Sequence, residues 1–539
     1  MASKSEQNQP QTYAERLLNY LDGQGRFRIA LIAFLAGALL AQAFAPRNFF
    51  PALFIVFPLF ILLVDRARAG SEAFGRGWWA GFGFFSIGLN WISHSFTQQD
   101  NVPAVLGPFA VFGLSALLAI YIGITFWISW RLKARGFGRV LLFAASWTLL
   151  EGARGMFFTG FPWNLVGSAW SEWLSVAQSV HYLGVYGLSF VTVIAAGSLA
   201  LFVMDKSVKK AAFVALPLLL VLPVVSFMGQ VRLDANETRY HLGVTLRLVQ
   251  ANVSQRDKWR SYLINDHFDN HMQLSRGNDA DGKARDVKLL IWPETAVQRE
   301  TFDREGSLQR WRMSRLLEFG NFAITGVPRF ERKDNRIHYF NSLMAINSEG
   351  DIYARYDKNH LVPFGEYVPF APLFEAVGLG QLTGGVPFTP GVNLQTIDLP
   401  GVPSFSPLIC YEAIFPGHVV RDDERPEWML NISNDAWFGL TSGPHQHLAL
   451  ARLRAIEEGM PIVRSTSTGI SAVLDGFGRR VGAMGLNKRG ILDLPLPVAL
   501  EAPSIPTVVR VYVALLFCLG IILGFIGVTL FTVRRDRSS

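Results

Sequence analysis

The sequence predicts a polytopic α-helical membrane protein of about eight transmembrane helices that carries one extracytoplasmic α/β domain. Three observations predict it: a deficit of charge, a series of long apolar runs, and one extended polar stretch between the last two of them. Only 17% of the 539 residues are charged, half are hydrophobic, and phenylalanine alone occurs 42 times. An average soluble chain carries about 25% charged residues. The net charge of +8 raises nucleic acid as a partner. In a chain of this kind the placement of the basic residues matters more than their sum, and no nucleic acid is expected. Two cysteines, Cys410 and Cys518, cannot build a disulfide framework and leave the redox compartment open.

Residues 1–26 form a polar N-terminal segment in which Tyr13, Leu17, Leu18 and Leu21 fall at helical spacing, as in an interfacial leader helix. Apolar runs follow at 27–45, 49–64, 77–96, 104–130, 139–157, 175–204 and 211–229, and a last one at 508–533. A span takes about 20 apolar residues, so the run at 49–64 is short. Ala41-Gln42-Ala43 imitates a signal-peptidase site. The apolar core before it exceeds the roughly 7–15 residues of a cleaved signal, so a retained helix is expected.

Basic residues alternate between loops. Lys4, Arg16, Arg26 and Arg28 precede the first run; Arg66, Arg68 and Arg76 follow the second; Arg131, Lys133, Arg135 and Arg139 follow the fourth. Lys206, Lys209 and Lys210 follow the sixth, and Arg534, Arg535 and Arg537 close the chain. The positive-inside rule then puts 1–26 and the tail 534–539 in the cytoplasm. It makes 27–229 a seven-helix membrane domain and 508–533 an eighth helix, and places 230–507 outside, in the periplasm of a bacterium with two membranes. Near the outer end of the fifth run stand Glu151 and Arg154, just before Gly160-Phe161-Pro162-Trp163-Asn164. Ionisable residues in a span are costly. These two either neutralise each other across one helical turn or line a polar notch at the membrane face.

Region 230–507 has ordinary globular composition and is long enough for its own core. Strands are expected at Leu242–Gln250, Val287–Trp292, Asn321–Val327, Tyr339–Ile346, Ile352–Lys358, Ser404–Ile409, Trp428–Ser433, Pro461–Ser465 and Ser471–Asp475. Helices are expected at Ser261–Arg276, Leu308–Phe319 and His445–Gly459. Alternation of this kind indicates a layered α/β domain.

Three of these strands end in a reactive side chain: Ile291-Trp292-Pro293 leads to Glu294, Tyr356-Asp357 to Lys358, and Leu408-Ile409 to Cys410. A thiol attacks as thiolate and needs a base and a positive neighbour. A carboxylate can take its proton, and an ammonium can favour the thiolate and steady the oxyanion of a tetrahedral intermediate. Each alone is weak, because a lone cysteine is more often buried filler; the three together are a strong signal. No His, Cys and carboxylate cluster has metal spacing, so no metal or other cofactor is expected, and His445 and His447 read as structural or rim residues.

The Trp292-Pro293-Glu294, Tyr356-Asp357-Lys358-x-His360-Leu361-Val362-Pro363-Phe364-Gly365-Glu366 and Cys410-Tyr411-Glu412 motifs resemble those of the nitrilase superfamily. With seven helices before them and one after, the chain as a whole resembles the apolipoprotein N-acyltransferase family. That resemblance implies an αββα sandwich in which Glu294 is the general base, Lys358 the oxyanion-stabilising cation and Cys410 the nucleophile. It implies supporting roles for Glu366, which orients the lysine, for the pair Tyr411 and Glu412, and for Trp259 in the acyl-accepting step. The implied reaction passes the sn-1 acyl chain of a phospholipid, phosphatidylethanolamine by preference, through a thioester on Cys410. The acceptor would be the α-amine of the N-terminal S-diacylglyceryl cysteine of an apolipoprotein. The resemblance implies an inner-membrane enzyme, a monomer by analogy, with phospholipid, diacylated apolipoprotein and the membrane as partners.

Val362–Gly391 and Trp437-Phe438-Gly439-Leu440 are apolar for an outer domain; the first, with Gly378, Gly380, Gly384 and Gly385 as hinges, reads as a mobile lid over an acyl pocket. Two other readings stay open at this point. A membrane-tethered amidase explains the three reactive residues but leaves the helices as an oversized anchor. A transporter or receptor explains the helices but makes those residues coincidental.

Overall fold

The computed structural model describes residues 12–98, 102–205, 207–277, 286–369 and 387–538. The leader forms helix α1 (Tyr13–Asp22), where Thr12 and Glu15 close a reciprocal cap on the first turn. Eight helices then occupy the places of the eight apolar runs: α2 (Arg26–Leu40), α3 (Pro51–Asp65), α4 (Gly70–Gly88), α5 (Leu106–Arg131), α6 (Phe137–Met156), α7 (Val180–Gly197), α8 (Val208–Asp234) and, at the far end, α12 (Thr507–Ser538). Among the described residues five helices are long and apolar enough to cross a bilayer: Arg26–Ala43, Leu106–Arg131, Val180–Met204, Val208–Asp234 and Thr507–Thr532. Helix α3 has 15 residues, while glycine and charge dilute α4 and α6.

The boundaries move where polar residues join helices. Helix α4 begins at Gly70 rather than 77, because Glu72 pairs with Arg76 one turn on and Arg76 donates to the Leu63 carbonyl at 2.7 Å. The run at 175–204 is interrupted: Gly184 takes φ 66°, which breaks the helical hydrogen bonding inside α7. Helices α2 and α4 meet backbone to backbone, since a Cβ on Gly37 would strike the Ala80 carbonyl and one on Gly83 the Phe34 carbonyl. Small residues at a crossing are how apolar helices approach closely without a hydrophobic driving force.

The outer region builds two six-stranded sheets. The first contains β1 (Tyr240–Gln250), β2 (Leu289–Ile291), β3 (Phe322–Lys333), β4 (Arg336–Ile346), β5 (Ile352–Asp357) and β12 (Gly490–Pro497), in the order β12-β1-β2-β3-β4-β5. The second contains β6 (Ile397–Leu399), β7 (Val402–Ile409), β8 (Trp428–Ser433), β9 (Ile462–Thr466), β10 (Ser471–Leu474) and β11 (Arg480–Met484), in the order β11-β10-β9-β8-β7-β6. Strands β1, β2 and β3 run parallel, as do β7, β8 and β9.

Alternation along the strands sorts side chains into layers. Leu246, Leu248, Leu289, Ile291, Phe405, Ile409, Leu430 and Ile432 fill the space between the sheets. Leu290, Ala323 and Met344 face the other way, against Phe268 and Met272 of α9 (Ile264–Arg276) and Met313 of α10 (Leu308–Ser314). Leu408, Met429 and Ile462 face Leu448, Ala451 and Ala455 of α11 (Gly443–Glu458). The layering is therefore α9 and α10, sheet, sheet, α11. The opposite face of α11, with Leu450, Leu453 and Ile456, joins Tyr411, Ile414 and Phe415 in the core of the membrane helices. A helix buried on every side in this way couples two domains.

Candidate active site

Cys410 follows the apolar Leu408-Ile409 end of β7, opens a tight turn and takes φ 53°. A left-handed conformation at a non-glycine residue costs of order 1–3 kcal/mol and persists only where the surroundings over-determine it. Here the Asn431 amide donates to the Cys410 carbonyl at 3.2 Å, and His447 Nε2 lies 3.2 Å from the same oxygen. The Glu412 carboxylate reaches back to accept the Ile409 N–H at 2.7 Å. Its other oxygen accepts the Tyr356 hydroxyl and the Asn359 N–H, each at 2.7 Å, and the His360 N–H at 3.0 Å. One buried carboxylate thus ties the cysteine turn to the segment that carries Lys358.

Lys358 follows β5 and is 1% exposed. Asp357 before it is held by two bonds from Arg329, at 2.9 and 2.5 Å, and by the Ser342 hydroxyl. The Lys358 ammonium donates to Glu366 at 2.9 Å and stands 3.8 Å from Glu294. Burial works against its charge, but Glu366 and then Glu294 more than offset this and hold it above the usual lysine range.

Glu294 follows β2 and the Trp292-Pro293 step, and is buried. Its two oxygens accept the Asn341 side-chain amide and the Asn434 backbone N–H, each at 2.7 Å. Asn341 also donates to Glu366 at 3.0 Å, so one amide spaces the two carboxylates. The backbone N–H of Val362 donates to the other Glu366 oxygen at 2.8 Å.

The structure brings Glu294, Lys358, Cys410 and Glu412 into one buried cluster past the C-terminal ends of β2, β5 and β7, across both sheets, with the half-buried Glu366 joined to it from the loop after β5. Tyr411 points to the membrane side, where its hydroxyl donates to the Gly160 carbonyl at 3.0 Å. Trp259 does not join the cluster through any bond among the described residues and is 48% exposed. Its neighbour Lys258 enters instead: it is 1% exposed and donates to the Glu294 carbonyl at 3.1 Å. Burial lowers Lys258 to about 8, against the pull of Glu294 and Cys410. The sequence reading missed Lys258, as it missed Asn341 and Asn434; the one available signal was the adjacent Lys258-Trp259 pair.

Glu151 and Arg154 share a face of α6, and both are buried. Each bonds the following loop: Glu151 accepts the Val166 N–H at 2.8 Å, and Arg154 donates to the Phe161 and Trp163 carbonyls at 2.6 and 2.8 Å. They also line a small pocket with Phe85, Tyr121 and Trp147.

Two expectations change. The fold does bring a Cys, Asp and His set together, since donor atoms of Cys410, Asp435 and His447 lie within 4.8 Å of one another. Long-range return of the chain, invisible to local spacing, creates it. Arg464 already caps both Asp435 oxygens, at 2.8 and 2.7 Å, which supplies the positive charge that a metal would bring. Phe438, read as part of an apolar surface, is wedged against Trp91 with ring centres 4.6 Å apart. Most of the proposed lid, with its four hinge glycines, lies in 370–386, outside the described residues.

Residues 36–198 match the apolipoprotein N-acyltransferase N-terminal domain, and residues 245–501 match carbon-nitrogen hydrolases. The chain is 42% identical over 512 residues to the apolipoprotein N-acyltransferase of Bradyrhizobium diazoefficiens, covering 92% of this chain and 94% of that protein. It is 40% identical to that of Rhodopseudomonas palustris, over 89% of this chain and 90% of that one. The chain belongs to the apolipoprotein N-acyltransferase family. It is thus an acyltransferase of the membrane, with a carbon-nitrogen-hydrolase domain of two sheets carried on apolar helices. Among the described residues, the segment that the N-terminal family domain covers includes α6 and the 160–166 loop, against which the Cys410 turn rests.

Proposed function

We propose that the chain completes lipoprotein maturation by moving the sn-1 acyl chain of a phospholipid, phosphatidylethanolamine by preference, to the α-amine of a diacylated apolipoprotein. Glu294 takes the Cys410 thiol proton, and the thiolate attacks the ester carbonyl. Lys358, with backbone N–H groups of the turn, steadies the oxyanion. Collapse leaves a thioester on Cys410; the departing lysophospholipid oxygen recovers the proton from Glu294. The acceptor amine then attacks the thioester, Glu294 receives its proton, and the thiolate leaves and is reprotonated.

The observation that carries this reading is the meeting of Glu294, Lys358 and Cys410 in one water-poor cluster beside the membrane helices. In it, Glu366 orients Lys358, Glu412 fixes the turn, Tyr411 docks it to the 160–166 loop, and Trp259 serves the acceptor from the surface. Glu151 and Arg154 shape the loop at the membrane face. The reading places 230–507 in the periplasm, both termini in the cytoplasm, and a monomer in the inner membrane. The test is transfer from labelled phosphatidylethanolamine to a diacylglyceryl peptide. Glu294→Gln, which keeps the shape, should slow transfer by roughly 100- to 10,000-fold with the fold retained. Transfer at the wild-type rate would remove Glu294 as the base.

A further inference from the structure

The first turn of helix α11 carries two neighbouring polar residues that have different hydrogen-bond partners and are both buried. Gln446 is 4% exposed and His447 1%. The Gln446 side-chain oxygen accepts the indole N–H groups of Trp91 at 3.1 Å and Trp163 at 2.7 Å, and its amide nitrogen donates to the Ala45 carbonyl at 3.3 Å. Those three partners come from separate connections between membrane helices: after α2, after α4 and after α6. All three side-chain hydrogen bonds of this glutamine among the described residues are therefore made to the membrane domain.

His447, the next residue, faces the nucleophile. Its Nε2 lies 3.2 Å from the Cys410 carbonyl oxygen, which can only accept, so Nε2 carries the hydrogen. On the other side of the ring Nδ1 lies 2.9 Å from Arg464 and 3.1 Å from Asp435. The ring is fixed in place by Trp163 and Phe438, with centres 5.7 and 5.9 Å away. Cys410 has a backbone conformation that must be held from outside, and its carbonyl is the handle: Asn431 grips it from within the sheet and His447 from α11.

We infer that Gln446 and His447 are a pair of positioning residues through which the membrane helices set the orientation of the Cys410 nucleophile. Trp91, Trp163 and Ala45 fix the first turn of α11 through Gln446. The same turn presents the His447 N–H to the carbonyl that fixes Cys410. The inference deepens the acyl-transfer reading and rests on Cys410 as the acyl carrier.

The test uses the full chain in detergent or nanodiscs and measures first-turnover release of lysophospholipid from phosphatidylethanolamine, with KM and thermal midpoint alongside. A displaced nucleophile loses rate in the chemical step while uniform binding is kept. His447→Leu is expected to slow acylation by about tenfold to a hundredfold at unchanged KM. His447→Gln, whose amide can donate to the same carbonyl, is expected to restore most of that rate. Gln446→Met keeps the volume, removes the three membrane bonds, and is expected to slow acylation in the same direction; if His447→Leu does not accumulate, this variant and His447→Gln carry the test. A wild-type rate in Gln446→Met overturns the inference. So does a His447→Gln enzyme as slow as His447→Leu, or a loss that appears wholly in KM. Failure of the underlying reading looks different: acylation would then survive in Cys410→Ala.

Discussion

Cys410 rests as a thiol. Burial first, and the Glu294 carboxylate next, push it up to about 12, against the opposite pull of Lys358. The Lys358 ammonium favours the thiolate, as the sequence predicts, but it is also paired with Glu366 and Glu294, and its pull does not outweigh burial. Alkylation of Cys410 by iodoacetamide should therefore climb by about tenfold per pH unit through neutrality and past pH 9. A plateau near pH 7 would contradict this. The sign for stability is the same: an unfolded cysteine loses its proton near about 8.5, before the folded one does. The preference of the fold for the thiol is thus full below that pH and is lost as pH rises toward about 12. The positions of Glu294, Lys358 and Cys410 were legible because each follows a strand-like run. Lys258, Asn341, Asn434 and His447 were not, because a polar residue becomes part of a site only when distant chain returns to it.

At the scale of the element, the strands that the sequence reading missed are β6, β11 and β12, and all three are sheet edges. Edge strands need only one apolar face, and β12 carries Pro495 and Pro497, which a central strand would not tolerate. Strand β3 runs past Pro328 to a tight hairpin, where Asp334 and Asn335 both take positive φ. Earlier in β3, Gly326 presses on the turn that carries Glu294: a Cβ there would lie 2.6 Å from the Glu294 Cα and closer still to the Thr295 nitrogen. Gly326→Ala should displace Glu294 and cut turnover by about tenfold or more, with the protein still folded. Full activity in that variant would show that the turn yields at no cost.

At the scale of the molecule, the helices and the outer domain meet along one seam, and the Cys410 turn lies in it. Tyr411, Ile414 and Phe415 are in the membrane-domain core, and His360 reaches Thr159 at 2.9 Å. Eight apolar runs and a layered domain could be read in advance from composition and period. The seam could not, because its contacts join residues hundreds of positions apart. The proposed orientation predicts that a cysteine placed at Asn335 reacts with an impermeant thiol reagent from the periplasm, and one at Lys133 only after the inner membrane is breached. The reverse pattern would invert the topology. The most direct test of the whole account is mass spectrometry of the purified protein after incubation with labelled phosphatidylethanolamine and no acceptor. The account predicts a hydroxylamine-sensitive acyl group on the peptide containing Cys410, absent from Cys410→Ala; no adduct, or one that persists in Cys410→Ala, would contradict it.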